Sequence, residues 1–499
     1  MSGAIGGPPR RLDLDVLPSL PREMRPRVDP RSLGVGIVHL GLGAFHRAHQ
    51  AVFTEDAVAA AGGDWGICGV TQRSGVVVDQ LVPQDGLYTV AARDATGERL
   101  RVAGSVREVV WARAEPERLL RRIAAPTTTV ITLTVTEKGY HRDPATDRLR
   151  TDSPEIAADI EQRTTRTVLG QLVEGLDRRR VQSAAPITVV CCDNLPSNGR
   201  VVQALVSDFV AGRRRDDGLA AWISDHVRFP STMVDRIVPA TTPADRAQVA
   251  ARLGAEDRGL VVTEPFSQWV IEDDFAGPRP AWEQAGAILT GDVAPYERIK
   301  LRMLNGSHST LAYLGQLADH EFVADAVASP GLAAVLRALL HDDVAPTLEI
   351  PRGFDLGRYG DDLLERFANP ALRHRTAQIA TDGSEKLPQR LLGTVRDRLG
   401  AGAQPIAAAL GVAAWMRVIS ARHSDSGRPL DVEDPLADTI AQRLGARTAP
   451  HQVVDRLLSL REIFSEELAG DRRLRDLLVE HLERLTRDGA ERTAQSVAG

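Results

Sequence analysis

Lysine is nearly absent from this chain. Of its 61 lysine and arginine residues, only Lys138, Lys300 and Lys386 are lysine. Arginine supplies positive charge everywhere else, a skew expected of a GC-rich genome, and the three exceptions stand out against it. Cysteine is scarce too. Cys68, Cys191 and Cys192 give neither a disulfide framework nor zinc-ligand spacing, and the adjacent pair lies in a β-like run that suits buried thiols. No apolar run approaches the ~20 residues that span a bilayer. The opening MSGAIGGPPRRLDLDV has no apolar h-region of the kind a signal peptide carries. Charge of one sign is not in excess either: a net charge of -6, with acids and bases interspersed, gives no electrostatic footing for nucleic acid or an anionic membrane surface. The expectation is a cytoplasmic protein without nucleic-acid or membrane partners.

What is present is ordinary globular material, 43% apolar and 26% charged over 499 residues, too long for one core. Residues 1–30 are rich in Pro, Gly and Arg and read as an irregular lead-in. Next, GVGIVHLGLGAFHRAHQ places an apolar run before Gly41-Leu42-Gly43, a helical pattern from about Phe45 to Ala61, and a second strand at WGICGVT. Strand, glycine turn, helix and strand together open a dinucleotide-binding βαβ unit. TTTVITLTVTEKGYH and APITVVCCDNLPSNG read as buried parallel strands, with a helical pattern between them from about Ser153 to Arg180. Beyond about residue 295 helical patterns dominate and strand signals nearly vanish. The chain is therefore expected to be an α/β Rossmann-type domain over residues 31–285, followed by a mostly α-helical domain over residues 286–499.

The glycine turn predicts a pyrophosphate site at Gly41, Gly43, Ala44 and Phe45, where backbone N–H groups open a helix. His46 stands where a third glycine of the fingerprint would fall. The second strand ends in Val70-Thr71-Gln72-Arg73 with no carboxylate for ribose hydroxyls, so composition and spacing leave NAD and NADP both open. His46 and His49 lie three apart but lack further ligands nearby, so no metal is expected.

YERIKLRMLNGSHS holds Lys300. On a uniform helix over residues 296–318, turning about 100° per residue, Glu297, Lys300, Asn305 and His308 fall in one sector. Apolar residues occupy the rest, so these four polar groups either satisfy one another or line a site. Arginine does not lose its proton, whereas lysine shifts pKa readily when desolvated and serves as a general base. Hydride transfer from an alcohol needs a nicotinamide, a base for the hydroxyl proton and donors for the oxygen. Lys300, a relay at Glu297, a donor at Asn305 and a hydroxyl contact at His308 meet that need. Schiff-base chemistry at the lysine is the rival, as is a non-catalytic dinucleotide sensor on the same fold.

With these residues in view, the chain resembles the polyol-specific long-chain dehydrogenases, the mannitol 2-dehydrogenase and fructuronate reductase family. The resemblance rests on GIVHLGLGAFHRAHQ, LTVTEKGYH, CDNLPSNG, STMVDRIVP, TEPFSQWVIEDDF, KLRMLNGSHS and TDGSEKLPQRLL, spread from about Gly36 to about residue 470. It implies a Rossmann-type domain, then a helical domain, with the site in the cleft between them. It implies metal-independent use of NAD, less often NADP, on a sugar alcohol, ketose or keto-uronate, by a monomer or weak oligomer. By resemblance the catalytic lysine is Lys300, the oxyanion asparagines are Asn194 and Asn305, and the proton-channel glutamate is Glu297. Substrate contacts fall on Asp235, His308 and Lys386. Mannitol 2-dehydrogenases are expected to carry arginine eight residues before the lysine of this last motif, where Gln378 stands here. With Lys138 in TEKGY, that favours the fructuronate reductase branch, in which Lys138 would help hold an anionic end of the substrate. A mannitol-1-phosphate 5-dehydrogenase is the related alternative.

Overall fold

The computed structural model describes residues 10–143, 146–213, 218–445 and 449–498, the side chains of 137, 138 and 498 excepted. The chain divides into two compact units, Met1–Ala294 and Pro295–Gly499.

The first unit is built on twelve strands: β1 Val35–Leu40, β2 Gly66–Thr71, β3 Tyr88–Asp94, β4 Gly97–Ala103, β5 Val106–Trp111, β6 Val130–Leu133, β7 Ile187–Cys191, β8 Val227–Arg228, β9 Thr232–Asp235, β10 Val261–Thr263, β11 Gln268–Glu272 and β12 Ile288–Thr290. Six of them form a parallel sheet in the order β5-β2-β1-β6-β7-β8. These strands are short, rich in Val, Ile and Thr, and mostly buried, as suits a sheet covered on both faces. One face packs Val38, Leu40, Leu133 and Val189 against the helices Val168–Gln182 and Asn198–Gly212. The other packs Ile37, Ile67 and Val190 with Phe53, Trp269 and Trp282. Chain order runs from β1 outward through β2 to β5, then crosses back to β6 on the other side of β1. The carboxyl end of β1 is thus the topological switch point, where open α/β sheets bind ligands.

Two three-stranded sheets, β10-β3-β4 and β12-β11-β9, complete the unit. From Arg10 on, the lead-in makes three 3-10 turns and buries Leu12, Val16, Leu17 and Leu20 against Leu87, Val102 and Leu253. The helix expected from Phe45 to Ala61 is broken into Ala44–Ala48 and Gln50–Ala61. His49, at φ -122 and ψ -88, leaves helical geometry between them. The helical stretch from Ser153 to Arg180 is likewise interrupted. Asp159 accepts from the backbone N–H groups of Arg166 and Thr167 and from the hydroxyls of Thr164 and Thr167, which ends one helix and starts the next.

The second unit has no strand among its described residues. Its centre is the helix Gly306–Leu317, buried at every position. Against it lies Ile406–Ala421, rich in Ala and with a glycine at Gly411. Small residues let the two backbones approach closely: a Cβ on Gly411 would sit 2.5 Å from Thr310 Oγ1. Among its described residues three segments are π-helical, Lys300–Asn305, Leu339–Val344 and Pro388–Leu392. Among the described residues of the whole chain, no helix is long and apolar enough to cross a membrane.

Candidate active site

The glycine turn leaves β1 at the switch point. Gly41 has φ +109, and a Cβ there would lie 1.9 Å from the carbonyl oxygen of Thr134, so no other residue fits. Gly43 is exposed, with only Gly41 O, at 3.7 Å, near where its Cβ would be. Ala44 and Phe45 follow, half-buried, as the first residues of the helix. The turn therefore presents bare backbone at the end of the central strand.

It is held from below by His39, which the sequence reading passed over. Nε2 of His39 lies 3.0 Å from Gly41 O, an acceptor only, so this nitrogen carries the hydrogen. Nδ1 then accepts from Thr132 Oγ1 at 2.7 Å. His46 stacks on His39 with ring centroids 3.3 Å apart. Burial pushes His39 down to about 3, and burial with the neighbouring His39, Arg47 and His49 holds His46 well below the usual range, so both rings are neutral. Among the described residues no group of three or more His, Cys, Asp or Glu side chains is placed to hold a metal.

The loops after β6 and β7 are joined by Asp193. Its carboxylate accepts from Val135 N–H at 3.1 Å, from Thr136 N–H at 3.2 Å and from Tyr140 OH at 2.7 Å. This fixes the loop on which Asn194 stands exposed at the carboxyl edge of the sheet. Asp235 closes β9 and is buried, paired in register with Gln268. Strand β9 is tied to the end of β7, because Thr232 donates through Oγ1 to Cys191 O and Asn198 Nδ2 bridges Asp193 O and Thr232 O. The backbone of Lys138 lies in the short turn Glu137–Tyr140 after β6; its side chain lies outside the described residues.

In the second unit, Glu297, Lys300, Asn305 and His308 lie along one helical rod. The uniform wheel expected over residues 296–318 does not hold. An α-helical turn, Ala294–Ile299, passes into the π-turn Lys300–Asn305 and then into the α-helix Gly306–Leu317. The N–H of Gly306 bonds back five residues to Leu301 O. Each π step turns the chain less than an α step, so residue i+5 falls nearer to residue i around the axis than it does in an α-helix. This brings Asn305 nearer to Lys300 around the helix axis than the wheel placed it. Lys300 is 7% exposed and His308 8%, while Glu297 and Asn305 are half-buried. Widened helical turns of this kind often mark functional sites.

His308 packs on Phe367, centroids 4.4 Å apart, and edge-on to His374 at 5.3 Å. Its Nε2 is buried without a hydrogen-bond partner. Burial first, then His374, Arg366, Arg390 and Lys300, hold its pKa well below the usual range, so the ring is neutral. The ammonium of Lys386 donates to Thr381 O, to Ile379 O at 3.2 Å and to Thr381 Oγ1 at 3.2 Å, bonds that order the turn before its own helix. Gln378 is exposed. His374, edge-on to His308, and Arg390, which donates to the neighbouring Ser309, escaped the sequence reading. Only Arg390, inside TDGSEKLPQRLL, lay in a stretch it had singled out.

The site residues expected from sequence thus fall into two sets. Asn194, Asp235 and the glycine turn stand at strand ends of the first unit. Glu297, Lys300, Asn305, His308 and Lys386 stand on helices of the second.

Comparison with known proteins gives these sets a common context. The D-mannonate oxidoreductase of Escherichia coli K12 is 45% identical over 449 residues, covering 89% of this chain and 92% of the relative. The mannitol 2-dehydrogenase of Aspergillus terreus is 36% identical over 469 residues, covering 92% of both. Among solved structures, Pseudomonas fluorescens mannitol 2-dehydrogenase in a ternary complex with NAD and D-mannitol matches with a TM-score of 0.88 at 35% identity, over 97% of this chain and 99% of that one. The Rossmann domain of mannitol dehydrogenase matches residues 35–284 and its C-terminal domain residues 292–486, so the chain belongs to the mannitol dehydrogenase family.

Proposed function

We propose that this chain interconverts a secondary alcohol of a sugar alcohol or aldonate with the matching 2-keto sugar or keto-uronate, using NAD. Its family makes it an oxidoreductase acting on CH–OH groups. The observation that carries the reading is the π-turn Lys300–Asn305: it holds Lys300, an amine able to accept a proton, buried at its start, with Asn305 at its end. Supporting it are a relative named for D-mannonate and a structural neighbour solved with NAD and D-mannitol. We read residues 31–285 as the dinucleotide-binding domain and 286–499 as the substrate and catalytic domain.

The residues present fit a dinucleotide. Gly41 and Gly43 leave bare backbone at the switch point of a parallel sheet, where a pyrophosphate can approach. Gly41, Gly43, Ala44 and Phe45 would hold it, and NAD when bound supplies the acceptor or donor of hydride. In the oxidising direction Lys300 takes the hydroxyl proton, and in reduction it returns it. Asn194 and Asn305 donate hydrogen bonds to the reacting oxygen as charge develops on it. Glu297, one turn before Lys300, relays the proton to water. The neutral ring of His308 and the carboxylate of Asp235 contact substrate hydroxyls, and Lys386 stands at the substrate side.

The test is to follow absorbance of NADH and NADPH with fructose, fructuronate, tagaturonate and fructose 6-phosphate. Turnover with a ketose or keto-uronate is expected, preferring NADH. Lys300→Met should lower kcat by roughly 10²–10⁴-fold, the usual share of a general acid–base group. No turnover with any of the four would leave a dinucleotide-binding protein. Turnover that survives Lys300→Met unchanged would remove Lys300 from the chemistry.

A further inference from the structure

Two arginines grip the segment that follows the glycine turn, and both do so through backbone carbonyls. Arg47, 6% exposed, lies in the short helix Ala44–Ala48. Its Nε donates to Gly43 O at 3.2 Å and its Nη1 to Gly259 O, and the guanidinium stands 5.5 Å from the centre of the Tyr88 ring. Arg236, the residue after β9, donates through Nη1 to Ala48 O and through Nε and Nη2 to Glu264 O, at 3.2 and 2.9 Å. Among the described residues neither guanidinium is paired with a carboxylate. Asp257, the acid that acts on Arg47, turns its oxygens to Gln84 Nε2 and to the N–H groups of Thr89 and Gly259. Glu264 Oε1 accepts from the N–H of Ile237 at 2.7 Å. Burial draws Arg47 below the ordinary arginine value and Arg236 to about 10, so each keeps its proton at neutral pH.

Carbonyl dipoles solvate a cation without cancelling its charge, and a buried charge without a counter-ion is costly to keep. The geometry shows where Arg47 acts. Gly43 O accepts from both the N–H and the Nε of Arg47, at 3.3 and 3.2 Å. In a planar trans peptide the next N–H points the opposite way. The N–H of Ala44 is therefore aimed away from Arg47, and as the first helical residue Ala44 has no acceptor for it within the helix. Arg236 holds the carbonyl at the other end, so guanidinium groups fix this short helix at both ends.

Building on the dinucleotide reading above, we propose that Arg47, seconded by Arg236, is a positioning residue for the cofactor: it aims the Ala44 N–H at the pyrophosphate and supplies a buried positive charge that the phosphates balance. The turn then offers a charge as well as bare backbone.

ADP and adenosine differ by the diphosphate alone. Each is titrated against bound NADH, followed by its fluorescence, for the wild type, Arg47→Met, Arg47→Lys and Arg236→Met, with a urea transition to check each fold. Arg47→Met should cut the preference for ADP over adenosine by roughly 10- to 100-fold, the worth of interactions with a charged group. It should raise KM for NADH by a similar factor, while kcat at saturating NADH falls far less. Arg47→Lys keeps the charge without the fork and should recover part of the loss. Arg236→Met should lower the preference less than Arg47→Met. An unchanged preference in Arg47→Met, or equal losses for ADP and adenosine, overturns the proposal. If Arg47→Met does not fold, Arg236→Met decides: a lowered preference supports the proposal and an unchanged one overturns it. A wild type that binds neither NADH, NADPH nor ADP defeats the dinucleotide reading itself, and this inference with it.

Discussion

The two units hold their candidate site residues by different means. In the first, backbone carries the site. Gly41 is pressed against Thr134 O, His39 supports its carbonyl, and Asp193 ties the loops after β6 and β7 together. In the second, side chains carry it, and the device is a change of helical pitch. The π-turn Lys300–Asn305 packs against the π-turn Pro388–Leu392 with Gly306 at the contact. A parallel sheet supplies strand ends and loops at one edge, so a ligand meets N–H groups. A buried helix has its N–H groups occupied, so only side chains are available, and their spacing is set by the turn.

Breaking each device separately should give different failures. Gly41→Ala forces a Cβ into Thr134 O at a left-handed φ, and should cost about 3 kcal/mol or more. In a urea titration its midpoint should fall the furthest of these variants, and NADH affinity should fall with it. Asp193→Ala removes the acceptor of two N–H groups and a tyrosine hydroxyl, and should cost about 2–3 kcal/mol. Gly306→Ala pushes the two π-turns apart and should cost about 1–3 kcal/mol. Stopped-flow rates and NADH titration would separate them: Gly41→Ala should act chiefly on cofactor affinity, Gly306→Ala chiefly on the rate of the chemical step.

One effect is shared by the two units. Burial holds His39 at about 3 in the first unit, and His374 and His481 at about 4 in the second. Unfolded, each takes up a proton near its ordinary value of about 6.5. Their contribution to stability is therefore fully present above about pH 6.5. It is lost as pH falls toward 4 and 3, because the unfolded state binds more protons there. Denaturant melts at pH 7.5, 6 and 5 should show that loss, and His481→Phe should flatten part of it.

The comparison also shows what the sequence carried. Strands β1, β2, β6 and β7 were legible because burial on both faces demands continuous β-branched runs. Gly41 and Gly43 were legible because glycine is the residue such a turn requires. Lys300 stood out by rarity, and Asn305 and His308 by sharing its helix. The π-turn was not legible: KLRMLN differs in nothing from an α-helical sequence, and the segment it packs against, residues 388–392, lies far along the chain. The break at His49 was hidden for a similar reason, since its ring is held by Gln268 O, 219 residues away. His374 meets His308 and Arg390 meets Ser309 through the tertiary fold, and no local pattern announces a meeting of positions 66 and 81 residues apart.

The measurement closest to the centre is Lys300→Arg, assayed for keto-uronate reduction beside an NADH titration. Arginine keeps the charge and much of the length of lysine but does not give up its proton at working pH. If Lys300 is the proton acceptor and donor, the variant should bind NADH as the wild type does while kcat falls by roughly 10²–10⁴-fold. An arginine variant that binds NADH and keeps most of its rate would contradict that role.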